Sequence, residues 1–193
     1  REIAVTTNKK LVKELGINQS VAITCVKPSG TVSALTDTAS GIHPRHSYFY
    51  VRTVRGDKKD PLTRMMIDAG FPNEDEVLHP AQTTVFSFPM KSPKDSVTRT
   101  KVTAIDQLGL WHDYQRFYCE HKPSVTINVK EHEWMTVGDW VYQNFEEISG
   151  LSFLPFSDHV YQQAPFQDCD EATYEAWKAK MPTNVDWSKL QNY

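Results

Sequence analysis

The sequence predicts an α/β fold, and two observations carry that expectation. Short β-branched, apolar runs suited to buried strands alternate with segments whose apolar residues recur every three or four positions, the period of a helix face. That alternation favours a sheet with at least partly parallel pairing. The chain is also long enough, at 193 residues and 39% hydrophobic, for one good core or two small ones.

Taken in order, Leu11 to Leu15 read as the end of a short helix closed by Gly16. "SVAITCV", Ser20 to Val26, has the composition of a buried strand. A Pro-Ser-Gly loop follows, and "TVSALTDTAS" is either a helical turn or a loop. A turn at His43-Pro44 then leads into a strand from Tyr48 to Val54. Asp60 as N-cap, Pro61 at the first helical position and Gly70 as the stop frame a helix. A strand is expected at Thr83 to Phe88. From Thr98 to about Glu120, Val102, Ile105, Leu108, Trp111, Tyr114 and Tyr118 give the strongest helical period in the chain. "SVTINV", Ser124 to Val129, reads as a strand. "MTVGDWVYQNFEEISG" reads as a helix capped by Thr136 and ended by Gly150, with Trp134, Trp140 and Tyr142 as packing residues. "GLSFLPF" is a further strand, and a last helix starts at the Asp170 cap.

Composition excludes several classes. No apolar run approaches the ~18 residues that span a bilayer, so no membrane role is expected. The net charge of −3, with dispersed Lys and Arg, argues against nucleic acid as a partner. The first residues carry no apolar signal region, and the chain begins at Arg1, so it reads as a piece of something longer. Cys25, Cys119 and Cys169 are odd in number and widely spaced, unlike a zinc pair or a secreted disulfide framework. That usage fits a reducing cytoplasm. Cys25 reads as a small buried hydrophobe rather than a radical or redox thiol. His43, His46 and His79 lack a carboxylate or cysteine at ligand spacing, so no metal site is expected. A role beside a substrate pocket is assigned to His43 and Arg45 instead.

The chemistry-bearing stretch is "VKPSGTVSALT". A strand that ends in small residues before a helix exposes free N–H groups that suit phosphate oxygens. Ser29 and Thr31 add hydroxyls, Gly30 permits close backbone approach and φ > 0, and Pro28 stiffens the chain. The spacing is not that of a Walker A loop. By itself, a Pro-Ser-Gly turn is more often only a turn.

Two motifs close together change the weighing. Pro28-Ser29-Gly30-Thr31-Val32-Ser33 is followed by a small-residue run and Gly41-Ile42-His43-Pro44. This pair resembles the substrate-phosphate loop and following segment of ribonucleotide reductases. The His within the second motif is similar to the adenosylcobalamin-dependent branch, particularly its monomeric ribonucleoside-triphosphate reductases. "DPL" at Asp60, "SVTINV" at Ser124, "LSFLP" at Leu151 and "YQQAPFQDCDEATYEAW" from Tyr161 agree with that branch in the same order.

The resemblance implies that residues 1–193 are the C-terminal part of a ten-stranded α/β barrel. Pro28, Ser29, Gly30, Thr31, Val32 and Ser33 would bind the phosphates of a ribonucleoside triphosphate. It also implies adenosylcobalamin as cofactor, held mostly outside this chain, and a cysteine thiyl radical that abstracts the ribose 3′-hydrogen. A cysteine pair would reduce the 2′-carbon and be restored by thioredoxin or a similar reductant, and a nucleotide effector would bind outside this chain. The family's Asn-Pro-Cys radical motif and its C-terminal cysteine pair are absent, so no catalytic residue is expected here. The alternatives are a fragment of a diphosphate-reducing large subunit and a nucleotide-binding module without chemistry.

Overall fold

A computed structural model describes residues 1–157 and 161–193. In chain order its elements are α1 (Glu2–Leu15), α2 (Val32–Leu35), β1 (Phe49–Asp57), α3 (Pro61–Asp68), β2 (Asn73–Asp75) and β3 (Thr83–Lys91). They continue with α4 (Ala104–Asp113), β4 (Val125–Val129), α5 (Trp134–Gln143), β5 (Leu151–Pro155), β6 (Phe166–Asp168) and α6 (Glu171–Lys178). The chain divides into two compact units. The first joins residues 1–45 to 97–157, and the second joins 46–96 to the described residues from 161 onward.

In the first unit β4 and β5 pair in parallel, from Val125 opposite Leu151 to Val129 opposite Pro155. A parallel pair needs a crossover, and α5 supplies it. Alternate residues of β4 (Val125, Ile127 and Val129) point into a core with Ala104, Leu108 and Trp111 of α4 and Val137 of α5. Ile42, from the loop after α2, joins the same core. The second unit is an antiparallel sheet in the order β2-β3-β1-β6. Its long pair runs from Phe49 opposite Lys91 to Asp57 opposite Thr83. Val51, Met65, Val85 and Phe86 are buried in this unit.

The strands read at Tyr48, Thr83, Ser124 and Gly150 are all present, and so are the helices after Asp60 and Asp170. Both Asp caps are real. Asp60 accepts from the Leu62 N–H at 2.8 Å and Asp170 from the Thr173 N–H at 2.8 Å. Among the described residues, parallel pairing of strands is confined to β4–β5, beside one isolated parallel bridge between Arg45 and Thr98. The two strands shorter than four residues, β2 and β6, carry too little pattern to be read from sequence.

Several boundaries differ from expectation. "SVAITCV" forms no strand: Val21 lies at a bend and is exposed, so the buried-strand expectation is not met. A β-branched run supplies only half of a strand, and here its neighbour is the 118–122 segment, which meets it through Ile23, Thr24 and Cys25 without a regular ladder. Glu120 N–H donates to the Thr24 carbonyl at 2.9 Å, and Ile23 N–H donates to the Glu120 carboxylate at 3.1 Å. The first helix extends back to Glu2, and Gly16 closes it at φ +65°.

α4 begins only at Ala104, because Thr103 and Asp106 form a capping box that leaves Val102 outside. α4 widens into a π-helical turn over Tyr114–Tyr118. Thr136 is not the cap of α5, since it lies within the first turn of the helix that begins at Trp134. The buried Glu133 carboxylate accepts from Lys130 N–H at 2.8 Å, at the start of the 3-10 turn Glu131–Glu133 that leads into α5, and from Ala104 N–H at 3.0 Å at the start of α4. Gly150 does not end α5 either. That helix stops at Gln143, where the Asn144 side chain donates to the Trp140 carbonyl at 2.8 Å. Trp140 packs against the core, but Tyr142 is exposed.

Candidate functional site

The site is built on the segment from Lys27 to Arg45. Gly41 sits at φ +61°, and a Cβ there would lie 3.0 Å from the Lys27 carbonyl oxygen. Only glycine permits that conformation with that approach, which gives the Gly-Ile-His-Pro motif a physical reason. The turn falls at Ser40–His43, with Gly41 and Ile42 at its centre, two residues earlier than expected, and the His43 N–H donates to the Ser40 carbonyl at 3.1 Å. Ser40 locks the loop from the far side. Its hydroxyl accepts from Ser29 N–H at 2.9 Å and donates to the Ser29 carbonyl at 3.0 Å.

Within the loop, the Ser29 hydroxyl accepts from Ser33 N–H at 3.1 Å. The N–H groups of Ser29 and Ser33 are thus consumed inside the chain. Among the described residues, no hydrogen bond engages the N–H of Gly30, Thr31 or Val32. Thr31 starts α2 without a side-chain cap bond, and Gly30, Thr31 and Val32 are exposed. Three successive free N–H groups on an exposed turn form a concavity suited to an anion. α2 is a single turn, so its dipole contributes little. One expectation needs correction. Gly30 is not among the residues with positive φ, and a Cβ there meets nothing within 4 Å. Its value is therefore open space rather than backbone conformation.

His43 and Arg45 hold the segment in place. His43 donates from Nδ1 to the Ser40 carbonyl at 2.8 Å, and its Nε2 accepts from the Thr126 N–H at 2.9 Å. Both ring nitrogens are engaged, so the ring ties the loop to β4. The Arg45 guanidinium binds the Asp37 carboxylate at 2.9 Å and also the Asp37 carbonyl. Asp37 carries φ +50°. The Arg45 backbone is bound at 2.9 Å to Val97 and 2.8 Å to Arg99. Ser40 and Asp37 escaped the sequence reading. The small residue before Gly41 was the available signal for the first, and Asp37 had none.

The other chemistry-bearing candidates have their own partners. His46 pairs with Asp168 at 2.9 Å, and His79 with Glu76 at 3.3 Å. Among the described residues no three His, Cys, Asp or Glu side chains converge as metal ligands. Burial pushes the thiols of Cys119 and Cys169 above the usual cysteine range, and the neighbouring Cys25 adds to the effect at Cys119. Raised thiols are poor nucleophiles at neutral pH. No helix among the described residues is long and apolar enough to cross a membrane.

The fold is that of part of a class II ribonucleotide reductase. The chain superposes on the crystal structure of a B12-dependent enzyme of that class with a TM-score of 0.82 and 26% identity, over 97% of this chain and 26% of the other. Among curated proteins it is similar to the adenosylcobalamin-dependent ribonucleoside-triphosphate reductase of Euglena gracilis, 30% identical over 90% of this chain and 24% of the relative. A probable enzyme of the same description from Dictyostelium discoideum is 29% identical over 96% of this chain and 25% of the relative. The Lactobacillus leichmannii enzyme is 28% identical over 94% and 25%. No family model matches the chain. The chain spans about a quarter of the length of the curated relatives it matches. The resemblance carried by the Pro28–Ser33 and Gly41–Pro44 motifs is borne out along nearly the whole chain.

Proposed function

We propose that this chain is the substrate-phosphate portion of an adenosylcobalamin-dependent ribonucleoside-triphosphate reductase. The observation that carries the reading is similarity to enzymes of that one description across 90% or more of the chain. The loop gives it a local chemical basis. Gly30, Thr31 and Val32 offer N–H groups to phosphate oxygens, and the Thr31 hydroxyl is a fourth donor. Ser29, Ser33 and Ser40 hold the turn rigid, while His43 and Arg45 position it. Pro28, with no N–H, leads into it.

Adenosylcobalamin supplies the radical when bound. Most of the cofactor's site is held by residues outside this chain, which spans about a quarter of its relatives' length. The same holds for the radical and reducing cysteines and for the effector site. What this chain does is hold the triphosphate and so fix the ribose in front of the chemistry. The reductant is a dithiol protein of the thioredoxin kind, and the setting is the cytoplasm.

The test uses the full-length protein. It should form 2′-deoxyribonucleoside triphosphates only with adenosylcobalamin and a dithiol reductant, and Thr31→Val should raise KM for the triphosphate. Preference for diphosphates with a separate radical-generating subunit would overturn the reading. So would nucleotide binding with no turnover.

A further inference from the structure

Two of the three cysteines meet in the first unit although 94 positions separate them in sequence. The Glu120 N–H donates to the Thr24 carbonyl at 2.9 Å, joining the residue after Cys119 to the residue before Cys25. The Thr24 hydroxyl donates to the Tyr118 carbonyl at 2.5 Å, and the Cys25 thiol lies 3.5 Å from the Lys122 carbonyl. These bonds set Cys25 and Cys119 on neighbouring segments, and after burial the neighbouring Cys25 helps to push the Cys119 thiol up. Both are free thiols, with Cys25 partly exposed and Cys119 only 7% exposed.

We propose that Cys25 and Cys119 are a redox-active dithiol that closes to a disulfide by exchange with a low-molecular-weight disulfide. The asymmetry in exposure assigns the roles. The Cys25 thiolate attacks one sulfur of the external disulfide, forming a mixed disulfide and releasing one thiolate. That released thiolate takes the Cys119 proton. Cys119 then attacks the Cys25 sulfur, forming the internal disulfide and releasing the second thiolate, which is protonated by the proton first lost from Cys25. Two protein thiols are oxidised and one external disulfide is reduced to two thiols. Cys119 needs no route to solvent, because its only target is the sulfur beside it. The link would lie three residues before Pro28, and so would fasten the chain that leads into the loop. The inference stands on backbone geometry and burial, and it does not depend on the nucleotide reading.

The test treats the full-length protein with oxidised glutathione, blocks remaining thiols by alkylation and maps tryptic peptides by mass spectrometry. The expected result is a cross-link between the peptides 14–45 and 117–130, with Cys25 and Cys119 lost to the alkylating agent and no Cys25–Cys169 or Cys119–Cys169 link. Cys119→Ala, which keeps a small apolar side chain, should convert the cross-link into a stable glutathione adduct on Cys25. Cys25→Ser should leave Cys119 without an adduct. The proposal is overturned if wild type accumulates the Cys25 adduct without cross-linking, if both thiols stay free in excess oxidised glutathione, or if Cys119 takes glutathione in Cys25→Ser.

Discussion

The Thr126 N–H donates to Nε2 of His43 at 2.9 Å, and through that bond β4 holds the loop after α2. The other ring nitrogen is spent on the Ser40 carbonyl, and Ser40 in turn grips Ser29. Alanine at His43 removes both bonds and leaves the Thr126 N–H short of its acceptor. A donor stranded in this way costs ~1–3 kcal/mol. His43→Ala should therefore destabilise the protein by about that amount in urea titration. It should also speed hydrogen exchange at Ser29 and Ser33. His43→Gln, which can restore one bond, should recover part of both.

Loss of binding on Gly30→Val can be separated from loss of folding. The open space around Gly30 means that a side chain there strikes nothing within 4 Å in the chain itself. Gly30→Val should keep wild-type thermal stability while blocking backbone approach to a phosphate. Thr31→Val removes one hydroxyl donor. Hydrogen bonds to a charged group contribute ~1.5–3 kcal/mol, so each variant should weaken triphosphate binding at least ~10-fold by calorimetry. Unchanged affinity in both would remove the phosphate assignment.

The fold was legible where local pattern and tertiary neighbour agree. β4 alternates buried and half-buried positions along Val125–Val129, and α3 and α6 carry Asp caps that any reader can see. It was illegible where the deciding partner is distant. Nothing local says that "SVAITCV" meets the 118–122 segment without forming a ladder, or that Thr136 lies inside α5 while the Glu133 carboxylate reaches Lys130 and Ala104. Within the site, the motif residues Pro28–Ser33 and Gly41–Pro44 were visible, but their division of labour was not. Ser29 and Ser33 look like ligand donors in sequence and are internal struts in the structure, because a partner eleven residues on, Ser40, takes the Ser29 N–H.

The cysteines are not required for turnover on this picture. Burial raises Cys119 and Cys169, and none of the three lies within the phosphate loop. A full-length protein with Cys25, Cys119 and Cys169 all changed to Ala should reduce nucleotide at the wild-type rate when a thiol reductant is supplied. Loss of turnover in a variant shown by circular dichroism to remain folded would make one of them a reducing residue.

Acid sensitivity has a source at the start of α4. Hydrogen bonds from the Thr103 hydroxyl at 2.7 Å and the Thr103 N–H at 2.9 Å hold the Asp106 carboxyl below the usual range, against a smaller opposing effect of burial. A carboxyl lowered on folding stabilises fully above its unfolded value, about 4. That stabilisation is lost as pH falls through the folded value. The urea midpoint should thus fall with acidification below about pH 4 in wild type. It should fall less steeply in Asp106→Asn, which has no carboxylate to protonate. Equal slopes for the two proteins would show that the capping box makes no contribution to acid sensitivity.

Leu108 and Leu110 sit two positions apart in α4 and should respond oppositely to truncation. Two residues along a helix turn the side chain through about 200°, so the two leucines face opposite sides. Leu108 is fully buried among Trp111, Ile127 and Val137, whereas Leu110 is 45% exposed. Removing a buried leucine side chain loses its transfer free energy and leaves a cavity that close-packed neighbours fill only in part. Leu108→Ala should therefore cost ~2–5 kcal/mol. An exposed position away from caps and cores changes stability by about ±0.5 kcal/mol, and Leu110→Ala should fall near that range. Chemical denaturation of the two variants in the same protein measures the difference. Comparable losses would mean that α4 is rotated from the orientation that buries Leu108, Trp111 and Ala104 against β4, and with it the seating of Thr126 against His43.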